Sequence, residues 1–153
     1  MRSLAFAVAA LASLPACSMF MHSMEKPSAE VRDVSISSVG FGGASGQLSL
    51  DVSNPNSFAV PLSGVDWQLS INGARALTGT VELSQQIPAK GVAPVKTSLS
   101  ISARDAIGLG SVLGGGARNY RIDVRLHFST QIGKVDVDVS KTGELGSGLA
   151  FLR

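Results

Sequence analysis

The chain has 153 residues, of which 44% are hydrophobic and 16% are charged, and its formal net charge is +2 at pH 7. This length and composition suit one domain with a substantial hydrophobic core, and they exclude a highly charged, disordered chain. No two lysine or arginine residues are adjacent, so the sequence lacks the clustered basic residues of a nucleic-acid-binding surface. We therefore expect no nucleic-acid partner.

The start of the chain has the features of a signal peptide. Arg2 precedes an apolar stretch that is too short to cross a bilayer as a permanent helix. The residues Leu14-Pro15-Ala16 then precede Cys17, the single cysteine of the chain. This arrangement resembles the lipobox of bacterial lipoproteins, although Pro15 departs from the usual small or β-branched residue. We expect cleavage before Cys17 and lipidation of its thiol; the alternative is an ordinary secretory signal with Cys17 incidental.

Lipidation of Cys17 would also decide where the protein resides. Several acyl chains give a stable membrane anchor, where a single chain gives only reversible attachment. In enteric bacteria, an aspartate directly after the lipidated cysteine resembles an inner-membrane retention signal. This chain has Ser18 at that position. We therefore expect an outer-membrane lipoprotein that faces the periplasm, bound to the membrane through the lipid on Cys17. Residues 1–16 would be the signal peptide and residues 17–28 the lipidated tether.

From Ala29 onward, apolar and polar residues alternate in seven runs separated by glycine, proline and asparagine. Such alternation is typical of antiparallel strands with one face on a core and the other in water. It predicts an all-β fold, a two-sheet antiparallel β-sandwich of about seven strands. The apolar residues of the successive runs are Val34 and Ile36; Leu48, Leu50 and Val52; Val65, Trp67, Leu69 and Ile71; Leu77, Val81 and Leu83; Val95, Leu99 and Ile101; Tyr120, Ile122, Val124, Leu126 and Phe128; and Val135, Val137 and Val139.

The motif Asn54-Pro55-Asn56 is predicted to end the second of these strands. Pro55 pushes Asn54 towards extended geometry and has no N–H to donate, and Asn56 tolerates a left-handed turn. Pro61 is expected to restrict residues 57–62 to an edge strand or a connection. This interpretation gives the motif a structural role rather than a binding role.

The next hairpin is predicted to have a three-residue loop made of Asn72, Gly73 and Ala74, with Gly73 in the left-handed conformation. A two-residue turn would leave the apolar residues of the following strand on the polar face. The longer loop instead places Trp67 opposite Gly79, where the indole ring can cover bare backbone. The hairpin therefore defines the position of the only tryptophan in the sequence.

Residues 102–113 depart from the alternation and are predicted to form one short helix. Ser102 is a candidate N-cap, and the three glycines 114–116 would end the helix. Gly108 and Gly110 within this segment reduce its helical stability. In the last hairpin, Arg125 is expected opposite Asp136 on the solvent face.

Residues with catalytic or metal-binding chemistry are not clustered in the sequence. His22 lies in the tether and His127 on the polar side of a strand, so no histidine has the spacing of a metal ligand pair. A Ser/His/Asp triad built from His127, Asp136 and a serine would lack a nucleophile elbow. The glycine-rich stretches 40–46 and 114–116 fit no dinucleotide or phosphate fingerprint. We expect no catalytic residues, metal, cofactor or small-molecule substrate.

The order of these motifs along the chain resembles that of a known domain. The strand-ending Asn54-Pro55-Asn56 is followed by the aromatic strand that ends in Ile71-Asn72-Gly73, the strand that contains Gly79, and the step Ile87-Pro88-Ala89-Lys90-Gly91. This order is similar to that of the WHy domain (water stress and hypersensitive response), also called the late embryogenesis abundant group 2 fold. The resemblance covers about residues 29–143 and leaves residues 144–153 as a C-terminal tail.

The resemblance implies a fibronectin type III-like sandwich with one helix, no catalytic residues, and a structural role for Asn54, Pro55 and Asn56. It also implies an association with desiccation, cold and other stress, so the leading hypothesis is protection of client proteins or membranes by weak contacts, without ATP. The main rival is an adaptor subunit of an envelope transport or assembly complex that binds partners by edge strands. A third possibility is a binder of apolar ligands between the sheets, which requires an internal cavity.

Overall fold

The computed structural model describes residues 24–40, 42–114 and 119–144. The predicted signal peptide, Cys17 and His22, and the end of the predicted C-terminal tail lie outside these residues. Within them, seven strands and one helix follow in the order β1 (Ser28–Gly40), β2 (Gly43–Asn54), β3 (Val60–Ile71), β4 (Ala74–Ile87), β5 (Gly91–Ile101), α1 (Ala103–Gly114), β6 (Asn119–Thr130) and β7 (Gly133–Glu144).

The strands form two antiparallel sheets that pack face to face. One sheet has the order β1-β2-β5 and the other the order β4-β3-β6-β7. This arrangement confirms the predicted two-sheet sandwich with about seven strands and one short helix. No helix in the described part of the chain is long and apolar enough to span a membrane.

The core lies between the sheets and consists of the inward-facing residues of the alternating runs. Burying one such aliphatic or aromatic side chain stabilises the fold by about 1.5–3 kcal/mol relative to exposure. The core therefore follows directly from the period-two pattern in the sequence. The largest fully buried apolar side chains are Phe128, Leu48, Leu50, Leu62, Ile87, Ile122, Leu126, Val52, Val60, Val65 and Val95.

The register between β3 and β4 places the tryptophan as predicted. Trp67 pairs with Gly79, and Leu69 pairs with Leu77. A Cβ atom on Gly79 would lie only 2.6 Å from Cε2 and Cζ2 of the indole ring. The buried Trp67 ring thus occupies the space that any other residue at this position would need.

The loop of this hairpin differs from the prediction, because it has two residues instead of three. Ile71 already pairs with Ala74, and both Asn72 (φ 50°) and Gly73 (φ 81°) have left-handed backbone conformations. This is the geometry that suits a two-residue hairpin. A register shift soon after the turn leaves Ala76 without a partner in the ladder. This bulge places the later apolar residues of β4 on the core side of the sheet. The three-residue loop had been predicted in order to give the same result.

Pro61 lies inside a strand, contrary to the expectation that residues 57–62 form an edge or a connection. β3 begins at Val60 and is the second strand of its sheet. Pro61 pairs with Gln86 of β4, but the ladder between β3 and β6 begins only at Leu62. The missing N–H of Pro61 therefore lies where the strand has a single neighbour, as in an edge strand.

The last hairpin has a different register from the one predicted. Arg125 pairs with Asp138 and not with Asp136, because a two-residue turn already joins Thr130 to Gly133. Arg125 Nε lies 2.7 Å from Asp138 Oδ1, and both side chains are more than half exposed. Such an exposed ion pair contributes only about 0.2–1 kcal/mol.

Helix α1 confirms the predicted helix and its N-cap. Ser102 Oγ accepts a hydrogen bond from the Asp105 backbone N–H (3.3 Å) and donates one to the Asp105 carboxylate (2.7 Å). Ala106 is buried against the core, whereas Ile107 is 67% exposed. The helix lies where β5 ends and β6 begins, and this end of the sandwich is called the helix end below.

Candidate functional site

Four segments meet at the opposite end of the sandwich from α1. They are residues 24–27, the β2–β3 loop (55–59), the β4–β5 turn (88–90) and the β6–β7 turn (131–132). Pairing at the adjoining strand ends, such as Asn54 with Gly91 and Val60 with Ile87, brings these segments to one end. This end contains the Asn54-Pro55-Asn56 motif and is called the NPN end below.

Asn54 is the last residue of β2 and the centre of a buried hydrogen-bond network. Its side chain is 1% exposed, and its Nδ2 donates to the carbonyl oxygens of Phe58 (2.7 Å), Ile87 (3.2 Å) and Pro88 (3.2 Å). Its Oδ1 accepts from the backbone N–H and the side-chain amide of Asn56, both at 3.0 Å. The motif therefore ends the strand as predicted and also joins the β2–β3 loop to the β4–β5 turn.

Asn56 extends this network to the start of the described chain. Its Nδ2 donates to the carbonyl oxygen of Glu25 (2.8 Å), and its Oδ1 accepts from the Glu25 N–H (2.8 Å). Its own backbone oxygen accepts from the N–H of Lys90 (2.8 Å), a residue with a φ of 51°. Buried polar groups are tolerated when their hydrogen bonds are satisfied, and both amide side chains meet that condition.

Sequence reasoning identified the motif but missed this network. A signal was available, because Asn54 continues the inward-facing series Leu48, Leu50 and Val52 at the same spacing. An amide at a core position predicts buried carbonyl partners. What the sequence alone could not name were the distant partners at Ile87, Pro88 and Glu25, which lie more than thirty residues away along the chain.

The surface of the NPN end combines apolar and basic side chains. Phe58 is 41% exposed and Ile132 is 74% exposed, and together with Met24 they line a groove of about 550 Å³. Three exposed lysines, Lys26, Lys90 and Lys134, lie on the segments and strand ends that form this end. Within those described segments the only acidic residue is glutamate 25.

A second polar cluster lies on the outer face of the four-stranded sheet. His127 Nδ1 lies 2.8 Å from Asp136 Oδ1, and His127 Nε2 lies 2.8 Å from Asp66 Oδ2. Hydrogen bonding to Asp136 and to Asp66 raises the pKa of His127 above its ordinary value. The pKa of Asp66 is lowered, first by the hydrogen bond from Thr80 and second by His127.

This cluster does not form the catalytic triad that His127 and Asp136 could have supplied. Both imidazole nitrogens face carboxylates, and Ser63 Oγ donates to the backbone oxygen of His127 instead of its ring. Among the residues that the structure describes, no group of three or more histidine, cysteine or acidic side chains could hold a metal ion. These side chains therefore form a polar surface cluster in which both imidazole nitrogens are paired with carboxylates and neither is paired with a serine hydroxyl.

The remaining residues singled out in the sequence lie away from the NPN end. Trp67 and Gly79 form the cross-strand pair inside the four-stranded sheet, and Asn72 and Gly73 form the β3–β4 turn at the helix end. Tyr120 and Gly143 form a second aromatic–glycine pair, which the sequence reasoning missed. The Tyr120 ring occupies the space that a Cβ at position 143 would need.

Side chains close both seams where edge strands of the two sheets meet. Lys141 of β7 donates to the backbone oxygens of Val31 (3.2 Å) and Arg32 (2.7 Å) in β1. On the other side, Gln85 of β4 donates to the backbone oxygen of Pro94 in β5 (3.1 Å). These backbone acceptors are thus already occupied, and Pro94 itself has no N–H to offer to an added strand.

The comparisons with known proteins agree with the fold. The family model described as late embryogenesis abundant protein matches residues 49–143, which is more than half of the chain. A solution structure of an Arabidopsis thaliana protein is 18% identical, with a TM-score of 0.66 and coverage of 80% of this chain and 83% of that one.

Two further solved structures are similar at low sequence identity. A crystal structure of an Archaeoglobus fulgidus protein is 14% identical, with a TM-score of 0.58 and coverage of 83% of this chain and 99% of that one. A solution structure of a protein named as late embryogenesis abundant is 20% identical, with a TM-score of 0.51 and coverage of 83% and 74%. At these identities the likeness shows the fold alone. No curated protein matches the sequence significantly.

Proposed function

Because this chain belongs to the late embryogenesis abundant protein family, we propose that it is an envelope lipoprotein that protects other proteins or membranes during desiccation, cold or other water stress. The family match over residues 49–143 is the observation that carries this proposal. Proteins of this type are generally non-catalytic, and the surface cluster around His127 has no nucleophile in contact with its ring. Protection would therefore act through contact with clients and not through turnover.

The alternative of an adaptor that recruits partners by strand addition has less support from the edges. The acceptors at Val31, Arg32 and Pro94 already receive side-chain hydrogen bonds across the seams. Strand addition at these positions would have to break those bonds.

The third possibility, a binder of apolar ligands between the sheets, requires a cleft there. The three described surface depressions lie on the outer face, at the NPN end and beside the β3–β4 turn, so none of them is a cleft between the sheets.

A protection assay tests the proposed function. Residues 24–153 contain the whole described core, and they would be mixed with an enzyme that loses activity on freezing and thawing or on drying. The control is an equal mass of an unrelated β-sandwich. Retained enzyme activity well above that control supports the proposal. Protection no better than the control would overturn direct protection of soluble clients and would make capture of a stoichiometric partner the next experiment.

The lipid anchor is tested separately. Full-length protein produced in a bacterial host should have the mass of a processed chain with a diacylglyceryl group and an N-acyl chain on Cys17. The Cys17→Ser variant should lack this added mass and should leave the membrane fraction. An unmodified Cys17 in the mature protein would contradict the proposed anchor without affecting the protection assay.

A further inference from the structure

We propose that the NPN end is a docking surface for an anionic lipid bilayer, so that the sandwich stands on the membrane with its helix end pointing away. This inference deepens the proposed function and rests on the lipid anchor at Cys17. It assigns a membrane-facing role to Phe58, Ile132 and the lysines around them, which the stress-protection proposal does not use.

The position of the tether is the first argument. Asn56 holds Glu25 by two hydrogen bonds of 2.8 Å, so the described chain starts at the NPN end. Met24 lies seven residues after Cys17 and lines the groove between Phe58 and Ile132. A lipid on Cys17 is therefore attached seven residues along the chain from a residue that lines this groove.

The reach of the tether is limited. The eight residue steps from Cys17 to Glu25 span at most about 29 Å when fully extended. A strand of about 12 residues is roughly 40 Å long, which is the distance between the two ends of the sandwich. This reach is shorter than the sandwich. A tether held at Glu25 therefore cannot place the helix end on the membrane while the NPN end stays away from it.

The chemistry of the surface is the second argument. Phe58 and Ile132 expose 41% and 74% of their surface at the same end, and the groove between them is open to solvent. Side chains of this kind enter the boundary between headgroups and acyl chains. The four segments of this end carry Lys26 and Lys90 against Glu25, and Lys134 lies at the adjoining start of β7, so this end has the sign of charge that anionic headgroups attract. Lysine stems can also lie along apolar surface while the ammonium groups stay at headgroup level.

The sandwich contains a matched control for this surface. Ile107 on α1 is 67% exposed, close to the 74% of Ile132, but it lies at the helix end. The two isoleucines therefore have the same chemistry and similar exposure at opposite ends of one molecule. Only Ile132 should become shielded when the protein binds to a membrane.

The experiment uses full-length lipoprotein purified in detergent and reconstituted into vesicles of phosphatidylglycerol and phosphatidylethanolamine. The Ile132→Cys and Ile107→Cys variants carry an environment-sensitive fluorophore on the new cysteine, and Cys17 is blocked by its lipid. We expect the fluorophore at position 132 to shift to the blue and to be quenched at least about fivefold less by iodide than the one at position 107. Equal quenching at the two positions on these vesicles would overturn the docking proposal.

Other occupants of the groove are distinguished in the same experiment. If the position 132 fluorophore is already shielded in the Cys17→Ser protein in buffer, without vesicles or detergent, the groove is covered by protein, either a second copy or the chain's own tether, and membrane docking is overturned. If mass measurement shows no lipid on Cys17, the anchor proposal fails by itself. Unlipidated protein with Cys17 replaced by serine, so that only position 132 or 107 takes the fluorophore, is then added to the same vesicles. Selective shielding at position 132 still supports docking, whereas its absence overturns it.

The lysines give a second, independent variant set. The double variant Lys90→Gln and Lys134→Gln, made in unlipidated protein, should lower binding to phosphatidylglycerol vesicles by about fivefold for each lysine. Lys96→Gln is the control, because Lys96 is exposed in the middle of β5, away from the NPN end. A loss of about fivefold for Lys96→Gln as well would contradict a localised docking surface.

Discussion

The two ends of the sandwich are held together in different ways. At the NPN end, two buried asparagines join segments that are more than thirty residues apart in sequence. At the helix end, the chain reverses through local features, namely the left-handed pair Asn72-Gly73 and the N-cap of α1 at Ser102. Buried side-chain bonds join several segments at the NPN end, whereas the long-range bonds between Asn72 and Asn119 at the helix end involve an exposed side chain and link only the neighbouring strands β3 and β6. Substitutions at the two ends should therefore differ in cost.

The largest expected effect is at Asn54. In the Asn54→Asp variant, an acceptor-only carboxylate replaces an amide that donates to three carbonyl oxygens in a site that is 1% exposed. We expect the free energy of unfolding, measured by urea denaturation, to fall by about 3–5 kcal/mol. The matched variant at the other end is Asn72→Asp, which keeps the oxygen that accepts from Asn119 N–H and should lose less than about 1 kcal/mol. If the two variants lost similar amounts of unfolding free energy, the two ends would not differ in the way described above.

The next largest effect is expected between the ends, at Gly79. A Cβ at this position would lie 2.6 Å from the indole of Trp67, which is only 4% exposed. Gly79→Ala should therefore lower the midpoint of urea unfolding by the equivalent of about 1–3 kcal/mol. Gly143→Ala makes a comparable clash with Tyr120, but this ring is only partly buried and can turn towards solvent, so the loss should be smaller. A larger loss for Gly143→Ala would show that the Tyr120 side is the more rigid one.

A smaller effect of opposite sign is expected in α1. Gly108 lies inside the helix, and a Cβ at this position would have no heavy atom within 4 Å other than its chain neighbours and the backbone of its own helix. Gly108→Ala should therefore stabilise the protein by about 0.5–1 kcal/mol, measured by the same urea denaturation. A loss of stability would mean that the helix end is as closely packed as the NPN end.

The smallest effect is the pH dependence of the His127 cluster, which lies on the solvent face between the ends. Because its pKa is raised above 6.5, the stability contributed by His127 is fully present below pH 6.5 and is lost as the pH rises through the folded-state value. The contribution of Asp66, whose pKa is lowered from 3.8, is present above that pH and is lost on acidification. The cluster should thus stabilise the fold most between these two values.

The titration of His127 can be followed by NMR, and its sign is checked by substitution. Wild-type protein should show a His127 pKa above 6.5, and Asp136→Asn and Asp66→Asn should each lower it. The positive charge of Arg125 also acts on Asp66, so the Arg125→Gln variant serves as a control for general charge effects. A His127 pKa at or below 6.5 in the wild type would contradict the hydrogen bonds to both carboxylates.

The alternation in the sequence was enough to predict the sandwich because each residue's face follows from parity. Parity also predicted the Trp67–Gly79 pair, but it could not distinguish a three-residue loop from a two-residue turn followed by a bulge at Ala76. Both place the later residues in the same register. The Arg125 error has the same origin, since a shift of two residues changes the partner without changing the face.

The contacts of the candidate site were less accessible to sequence reasoning because they join distant strands. His127 reaches Asp66 only because β6 lies beside β3, and these strands are not consecutive in the chain. The Asn54 carbonyl partners depend on the same kind of long-range placement. Position in an alternating run fixes which way a side chain points, whereas its partner depends on the order of strands in the sheets.

The bonds between Asn56 and Glu25 also have a mechanical consequence. With a lipid on Cys17, any pull on the tether first meets the folded domain at these two hydrogen bonds, before it reaches the first ladder pair of β1 at Ser28. Tension is then shared with the β2–β3 loop and the β4–β5 turn, and it does not act on the edge strand alone. Since the joint is made of a neutral amide and backbone groups, its strength should depend little on salt, unlike that of a surface ion pair.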